Sequence, residues 1–227
     1  MSEIKCIACG KMYTERGLSR HLKSCKKLKE KYKKGSEQTY YKINIYNNLG
    51  YGYSLYIDIK ANATLGDLDR FLRDIWLESY DHCSEFEFKD RRYPMYESIY
   101  SESGIDKKLG KVLEVKDKFK YEYDFGTPTV LHCKVIDAVK GADRENIIEI
   151  LARNEEHVYK CEECDKEATH VLEDWSPEFY CEDHLENSDE YYLPIVNSPR
   201  MGVCGYFGPE EQYKDIVSWG KSKKIKK

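Results

Sequence analysis

Two groups of cysteine and histidine stand at spacings that suit a bound metal. The first is Cys6-x2-Cys9, followed after eleven residues by His21 and after three more by Cys25; the second is Cys161-x2-Cys164, sixteen residues, then Cys181-x2-His184. Zinc favours four sulfur or nitrogen ligands in a tetrahedron, and two cysteines separated by two residues supply a pair of thiolates from one tight turn. His21 and Cys25, four apart, share one face if their segment is helical. Three thiolates and one neutral imidazole fill the tetrahedron and leave no position for a reactive water, so both sets are expected to hold shape rather than to hydrolyse. Two zinc ions per chain are expected. His170 is the substitute for His184 and ranks below it, because it has no neighbouring ligand.

Around the first set, Tyr13 and Leu18 stand where small zinc fingers keep their two core residues. The run Gly17-Leu18-Ser19-Arg20-His21-Leu22-Lys23-Ser24-Cys25 resembles the helical half of the two-Cys, two-His zinc-finger family with its last His replaced by Cys. The longer ligand gap and the separation of aromatic and Leu are each one residue shorter than in that family. The resemblance implies a helix that offers Thr14, Gly17 and Arg20 to base edges, with Arg20 the strong reader of guanine. Lys23, Lys26, Lys27, Lys29, Lys31, Lys33 and Lys34 extend that basic helix and would meet phosphates. The rival reading is a solvated charged helix that contacts a protein, an acidic one in particular, or nothing. A segment this short lacks the apolar area to fold alone, so metal would supply its stability, on the order of 10 kcal/mol.

Charge divides the chain. Residues 1–35 carry 11 Lys/Arg against 3 Asp/Glu, and residues 221–227 add five lysines, within a total of 37 basic and 41 acidic residues. The intervening body is therefore strongly acidic, and any nucleic-acid contact is expected at the termini. Residues 158–190 hold 12 acidic residues against 2 lysines, which suits a protein contact better than a polyanion. With 41% hydrophobic residues, 20 Tyr and 7 Phe in 227 residues, the chain has material for a core, and a wholly disordered or collagen-like chain is excluded. No run of 18 apolar residues and no apolar leader follow Met1, so a soluble, cytoplasmic protein is expected, one in which nine cysteines serve metal rather than disulfides. The expected partners are DNA or RNA at residues 1–35 and a protein at the acidic body, with no membrane and no small-molecule substrate.

The elements that must carry these groups read as follows. Alternation predicts strands at 40–46 and 53–60, with Tyr41, Ile43, Ile45 and Leu55, Ile57, Ile59 facing one core, joined through Asn47-Asn48-Leu49-Gly50. Thr64 and Asp67 form a capping-box pattern ahead of a helix whose buried stripe is Leu65, Leu68, Phe71, Leu72, Ile75 and Trp76. A short strand at 85–88, a turn at 91–94 and a loop over 95–110 follow. Further strands are predicted at 118–125, where Phe119, Tyr121, Tyr123 and Phe125 alternate with polar residues, at 130–139 and at 147–151. The order fits an α+β roll, a mostly antiparallel or mixed sheet with one packed helix, plus a small N-terminal zinc finger and an inserted zinc-ribbon-like module. The expected division is 1–35 finger, 36–157 α+β body, 158–190 insertion, 191–220 return to the body and 221–227 basic tail.

Tyr121-Glu122-Tyr123-Asp124-Phe125-Gly126, preceded by His82-Cys83-Ser84-Glu85-Phe86 and Arg92-Tyr93, resembles the plasmid pRiA4b ORF-3-like family over about residues 36–154. Arg153-Asn154, Pro194 to Arg200 and Gly202-Val203-Cys204-Gly205-Tyr206 resemble its zinc-containing members. The resemblance implies a compact α+β roll and no particular activity. Many members continue the Tyr-Asp-Phe-Gly motif with acidic residues, Trp and His; here Thr127-Pro128-Thr129-Val130-Leu131 precedes His132, so no role of that Trp-containing loop carries over. An enzyme reading would take Cys83 or Cys133 as nucleophile, His82 or His132 as base and Asp124 as orienter. Neighbours on a strand point to opposite faces, so neither adjacent pair suits that chemistry. Cys204 is expected to pack as a small apolar residue. No phosphate loop, dinucleotide fingerprint or hydrolase elbow is present, no catalytic residue is assigned, and the chain is expected to be a non-catalytic adaptor.

Overall fold

The structure, a computed structural model, describes residues 3–32, 35, 37–47, 52–78, 82–97, 103–172, 177–185 and 191–221. The connection expected at Asn48–Gly50, the lysines at 33–34 and residues 222–227 of the basic tail lie outside them. The chain opens with β1 (Glu3–Lys5), β2 (Met12–Thr14), α1 (Glu15–Ser24) and α2 (Lys26–Tyr32). The body follows: β3 (Gln38–Tyr46), β4 (Ser54–Lys60), α3 (Leu65–Trp76), β5 (Ser84–Glu87), β6 (Arg92–Pro94), α4 (Leu109–Val112), β7 (Lys118–Tyr123), β8 (Thr129–Gly141) and β9 (Asn146–Arg153). Then come β10 (His170–Leu172), β11 (Phe179–Tyr180), β12 (Tyr192–Pro194) and β13 (Ser218–Lys221). Eight strands form one antiparallel sheet in the order β13-β9-β4-β3-β8-β7-β5-β6, and β11-β10-β12 form a second, small sheet.

The α+β expectation stands, with local differences. Arg92–Pro94 pairs with β5 as an edge strand instead of turning, and the end of the expected loop closes into α4. β12 pairs with β10, so the inserted sheet draws on residues beyond 190. α3 starts as its sequence requires: Thr64 Oγ1 accepts from Asp67 N (3.0 Å) while Asp67 Oδ2 accepts from Thr64 N (2.8 Å). Its apolar stripe is fully buried against Ile43, Ile45, Leu55, Ile57 and Ile59 of the sheet.

The other face of β3 and β4 is also covered. Its positions, Lys42, Asn44, Tyr56, Asp58 and Lys60, are polar enough to suit water, and an antiparallel sheet can leave one side wet. All are buried. Much of this face is covered by the N-terminal finger: Leu18, Leu22, Leu28 and Tyr32 pack with Tyr40, Tyr56, Ile136, Leu151 and Ala152 in one apolar cluster. The backbone joins too, since Ile7 N donates to Leu151 O (2.9 Å) and the Tyr56 hydroxyl donates to Glu15 O (3.2 Å). A Cβ at Gly141 would stand 3.2 Å from Tyr32 Cα, so this glycine lets α2 approach β8.

Charges buried beneath the finger are paired. Asp58 accepts from the Tyr32 hydroxyl and from Arg144 Nη2 (2.7 Å), Arg144 Nη1 reaches Glu149 (2.6 Å), and the guanidinium lies 3.9 Å from the Tyr40 ring centroid. Burial raises the Asp58 carboxyl above its usual range, a shift that Arg144 and Tyr32 oppose.

Candidate metal centres

The first cage hangs on the β1–β2 hairpin. Cys6 N donates to Lys11 O and Gly10 N to Cys6 O, a turn that Gly10 closes in the left-handed region at φ +74°. Thr14 then caps α1, its hydroxyl accepting from Gly17 N at 3.3 Å. One turn later the helix presents His21 and Cys25 to the hairpin, and the His21 ring stacks on Tyr13 with centroids 4.1 Å apart. One ligand atom from each of Cys6, Cys9, His21 and Cys25 lies within 4.8 Å of every other, and Cys9 Sγ stands 3.3 Å from His21 Nε2. A tetrahedron with metal–sulfur bonds of 2.3 Å has edges of about 3.8 Å, so this spacing suits one ion at the centre.

The second cage repeats the chemistry on a different frame. Cys161 N donates to Lys166 O to close its turn, and Cys181 leads into a single 3-10 turn, Glu182–His184, that brings His184 round. Cys161, Cys164, Cys181 and His184 also lie mutually within 4.8 Å; His184 Nδ1 is 3.5 Å from Cys161 Sγ and 3.3 Å from Cys181 Sγ, and Cys164 Sγ is 3.8 Å from Cys181 Sγ. The first cage thus offers Nε2 and the second Nδ1. His170 is not in the group; its Nδ1 faces Thr169 Oγ1 at 2.9 Å.

Electrostatics differ between them. Burial pushes the Cys6 thiol up to about 11. Burial also acts against the Cys161 thiolate, but the backbone amides of Cys181, Glu163 and Cys164 outweigh it and bring that thiol down to about 6. His21 is lowered, first by burial and then by Lys11, which favours the neutral imidazole a metal needs.

Four of the residues expected to meet nucleic acid, Arg20, Lys23, Lys26 and Lys27, are exposed, and none makes an ion pair with a described residue. Of the base-reading trio, Thr14 spends its hydroxyl on the cap and Gly17 has no side chain, so Arg20 remains. The basic helix is not continuous. Cys25 leaves helical geometry at ψ 117°, and α2 restarts with Lys29 N donating to Cys25 O, which turns Leu28 and Tyr32 onto the sheet.

Three cysteines stand outside the cages. Cys133 is buried in the main core, which raises its thiol, while His132 on the opposite face stacks on Tyr46. Cys83 is exposed, and so is Cys204, against the expectation that it would pack. Asp124 is no free orienter: Arg200 Nη2 donates to it at 2.6 Å. Arg200 itself, which ends one of the motifs that carry the family resemblance, is given no role by the sequence. It is fully buried and bonds Asp124, Glu78, Thr127 O and Thr129, tying the segment after β12 to the main sheet. Beside it Ser198 Oγ donates to Trp76 O (2.5 Å), and Asn154 Nδ2 donates to Asn197 Oδ1 (2.8 Å).

No family model matches the chain, and no curated protein matches it. Among solved structures, it is similar to the crystal structure of a protein of unknown function, MM3350 from Methanosarcina mazei Go1, at 16% identity and a TM-score of 0.46, over 51% of this chain and 69% of that one. A likeness that distant carries no argument about function. No helix among the described residues is long and apolar enough to cross a membrane.

Proposed function

We propose that this chain is a non-catalytic adaptor, stabilised by two structural zinc ions, that meets nucleic acid through the outward face of its N-terminal finger. The observation that carries the reading is the division of that finger into two sides: Leu18, Leu22, Leu28 and Tyr32 are spent on the sheet, while Arg20, Lys23, Lys26 and Lys27 stand exposed. Exposed cations without acidic partners are available to phosphates at no cost in broken ion pairs. Zinc is favoured because each cage is sulfur-rich with tetrahedral spacing, and four protein ligands leave no open position for chemistry. Membership of the plasmid pRiA4b ORF-3-like family belongs to the same proposal. Its support is the meeting, at one junction, of motif residues far apart in sequence: Asp124 with Arg200, and Arg153 and Asn154 with Asn197.

The test uses the full chain, since the finger shares its core with the body. Binding to a fluorescent duplex and to a single strand is followed over a salt series. Three lysine–phosphate contacts predict a slope of log K against log salt of about −2.7 on duplex. Changing Arg20, Lys23, Lys26 and Lys27 together to Ala abolishes the binding and leaves the melting temperature in place. An absence of salt-sensitive binding to either probe removes the nucleic-acid arm and leaves the alternative, a protein-binding module with the same structural zinc.

A further inference from the structure

Between the C-terminal end of α3 and the segment 204–213 lies a cleft of about 440 Å³, within the range of small-molecule sites. Its carboxylates are Asp74, Glu78 and Glu210, and its apolar walls are Leu77, Phe207, Pro209 and Tyr213. Among the described lining residues Arg73 is the one Arg or Lys, and it is already engaged. Its Nε donates to Asp69 (2.9 Å), its Nη2 donates to His82 O (2.9 Å) and Ser84 Oγ (2.8 Å), and its guanidinium lies 4.8 Å from the Tyr123 centroid. The helix end adds partial negative charge of its own, because its last carbonyls lack intrahelical donors.

Three further observations make the cleft more than an acidic depression. Tyr206 is only 3% exposed, yet its hydroxyl makes no hydrogen bond of good geometry with a described residue. Its near neighbour Ser198 is already engaged, donating to Trp76 O and accepting from Arg200 N. Cys204, which lines the cleft, is held in the left-handed region at φ +49°, a conformation that costs a non-glycine residue energy and gathers at binding sites. Phe207, 61% exposed, stands in edge contact with Tyr191, an aromatic pair at the opening.

We propose that this cleft binds a small organic cation, an ammonium or guanidinium carried on an apolar stem. The charged head meets Asp74 and Glu210 at the α3 terminus, the stem lies along Leu77 and Tyr213, and Phe207 closes over it with its ring face toward the charge. Burial raises the Asp74 carboxyl above the usual range even though Trp219 Nε1 donates to it at 2.6 Å, and the attraction of an arriving cation offsets that penalty by favouring the carboxylate. A free diamine and the side chain of a lysine in a peptide share this chemistry.

Cys204 supplies the measurement. The metal-loaded full chain is alkylated with iodoacetamide and the labelling of Cys204 and Cys83, both exposed, is followed by mass spectrometry; Cys83 is the internal control because it does not line the cleft. 1,5-Diaminopentane is expected to slow Cys204 labelling several-fold and saturably while Cys83 is unaffected, and glutarate, its dianionic counterpart, is expected to do nothing. Protection by Nα-acetyl-lysine amide equal to that by the diamine assigns a peptide side chain; protection by the diamine alone assigns a free amine. Asp74→Asn, which keeps an acceptor for Trp219, and Glu210→Gln, at an exposed position, are each expected to weaken the protection about tenfold. No protection by either amine, equal protection by glutarate, or equal slowing at Cys83 overturns the proposal. Full protection in both variants does so as well.

Discussion

Around Cys25 the metal ligands share an apolar cluster with Tyr40, Tyr56 and Leu151 of the eight-stranded sheet, whereas Cys161 and Cys181 sit on a three-stranded sheet with a small cluster of its own, Val171, Phe179 and Leu193. Both cages have three sulfurs and one imidazole. What separates them is the outer side of the frame. The first cage fixes a helix whose apolar side becomes the second cover of the main sheet; the second fixes a module that meets the sheet through a polar joint centred on Arg200. Identical ligand sets can therefore carry unequal shares of a fold's stability, and the share is set by what the frame covers.

The largest effect expected from this difference comes from opening one cage at a time. Cys6→Ser and Cys161→Ser should each cost one bound metal ion per chain, counted with a chromophoric chelator. Loss of the first cage frees α1 and α2 and wets Tyr40, Tyr56, Ile136 and Leu151 together with the buried Asp58. Full burial of each large apolar side chain contributes about 1.5–3 kcal/mol, so even after the entropy of the released helices the sheet should lose on the order of 5 kcal/mol. For a chain of this size that is a fall of roughly 10–20 °C in the main transition, read from near-ultraviolet circular dichroism. Cys161→Ser should lower the same transition by much less. Equal falls would erase the contrast between the two frames.

The polar joint ranks next. Arg200→Met keeps the volume of the side chain and removes its charge, leaving Glu78 and Asp124 buried without their shared partner. Breaking a buried pair in this way costs about 3–5 kcal/mol. Because the joint lies between the small sheet and the large one, the loss should show first as faster amide exchange in residues 195–206, with the amides of α1 and α2 unchanged. Equal acceleration in the finger would mean that the two frames are coupled through the sheet.

Much of this was readable in advance, for physical reasons particular to each element. The eight ligands announce themselves because metal coordination demands particular residue types at short spacings, and α3 because its cap and its 3.6-residue stripe are both local. The docking of the finger was hidden by Lys42, Asn44, Asp58 and Lys60, which make the second face of β3 and β4 look wet when each charge has a partner. A signal was nonetheless present. Leu18, Leu22, Cys25, Leu28 and Tyr32 continue one apolar stripe through a lysine-rich stretch, and a stripe of that length needs a surface to cover. Arg200 carried no comparable mark, since its partners come from residues 78, 124, 127 and 129 and meet only in the folded chain.

The smallest effect concerns acid, and it distinguishes the two joints by sign. Burial acts against the Asp124 carboxylate, but Arg200 and the amides of Thr127 and Gly126 outweigh it and hold the group below its usual range. Its folded value is therefore lower than its unfolded one, near 3.9. The stability it contributes is complete above the unfolded value and is lost as pH falls through the folded value. Asp58, under the finger, is shifted the other way by burial, so its contribution is greatest below the unfolded value and declines as pH rises through the folded one. Protonation of the cages would mask both trends in the wild type alone, and the difference from a variant with the same cages cancels it. Asp124→Asn suits this purpose, because Asn tolerates the φ of +61° and still accepts a hydrogen bond. Because Asn still accepts from Arg200, the gain of wild type over Asp124→Asn is about 1 kcal/mol at neutral pH. In urea titrations that gain should hold steady down to about pH 4 and vanish below it. The gain of wild type over Asp58→Asn should instead grow as pH falls from the raised folded value toward about 4 and level off below it, and parallel curves for the two variants would refute the opposite signs assigned to the joints.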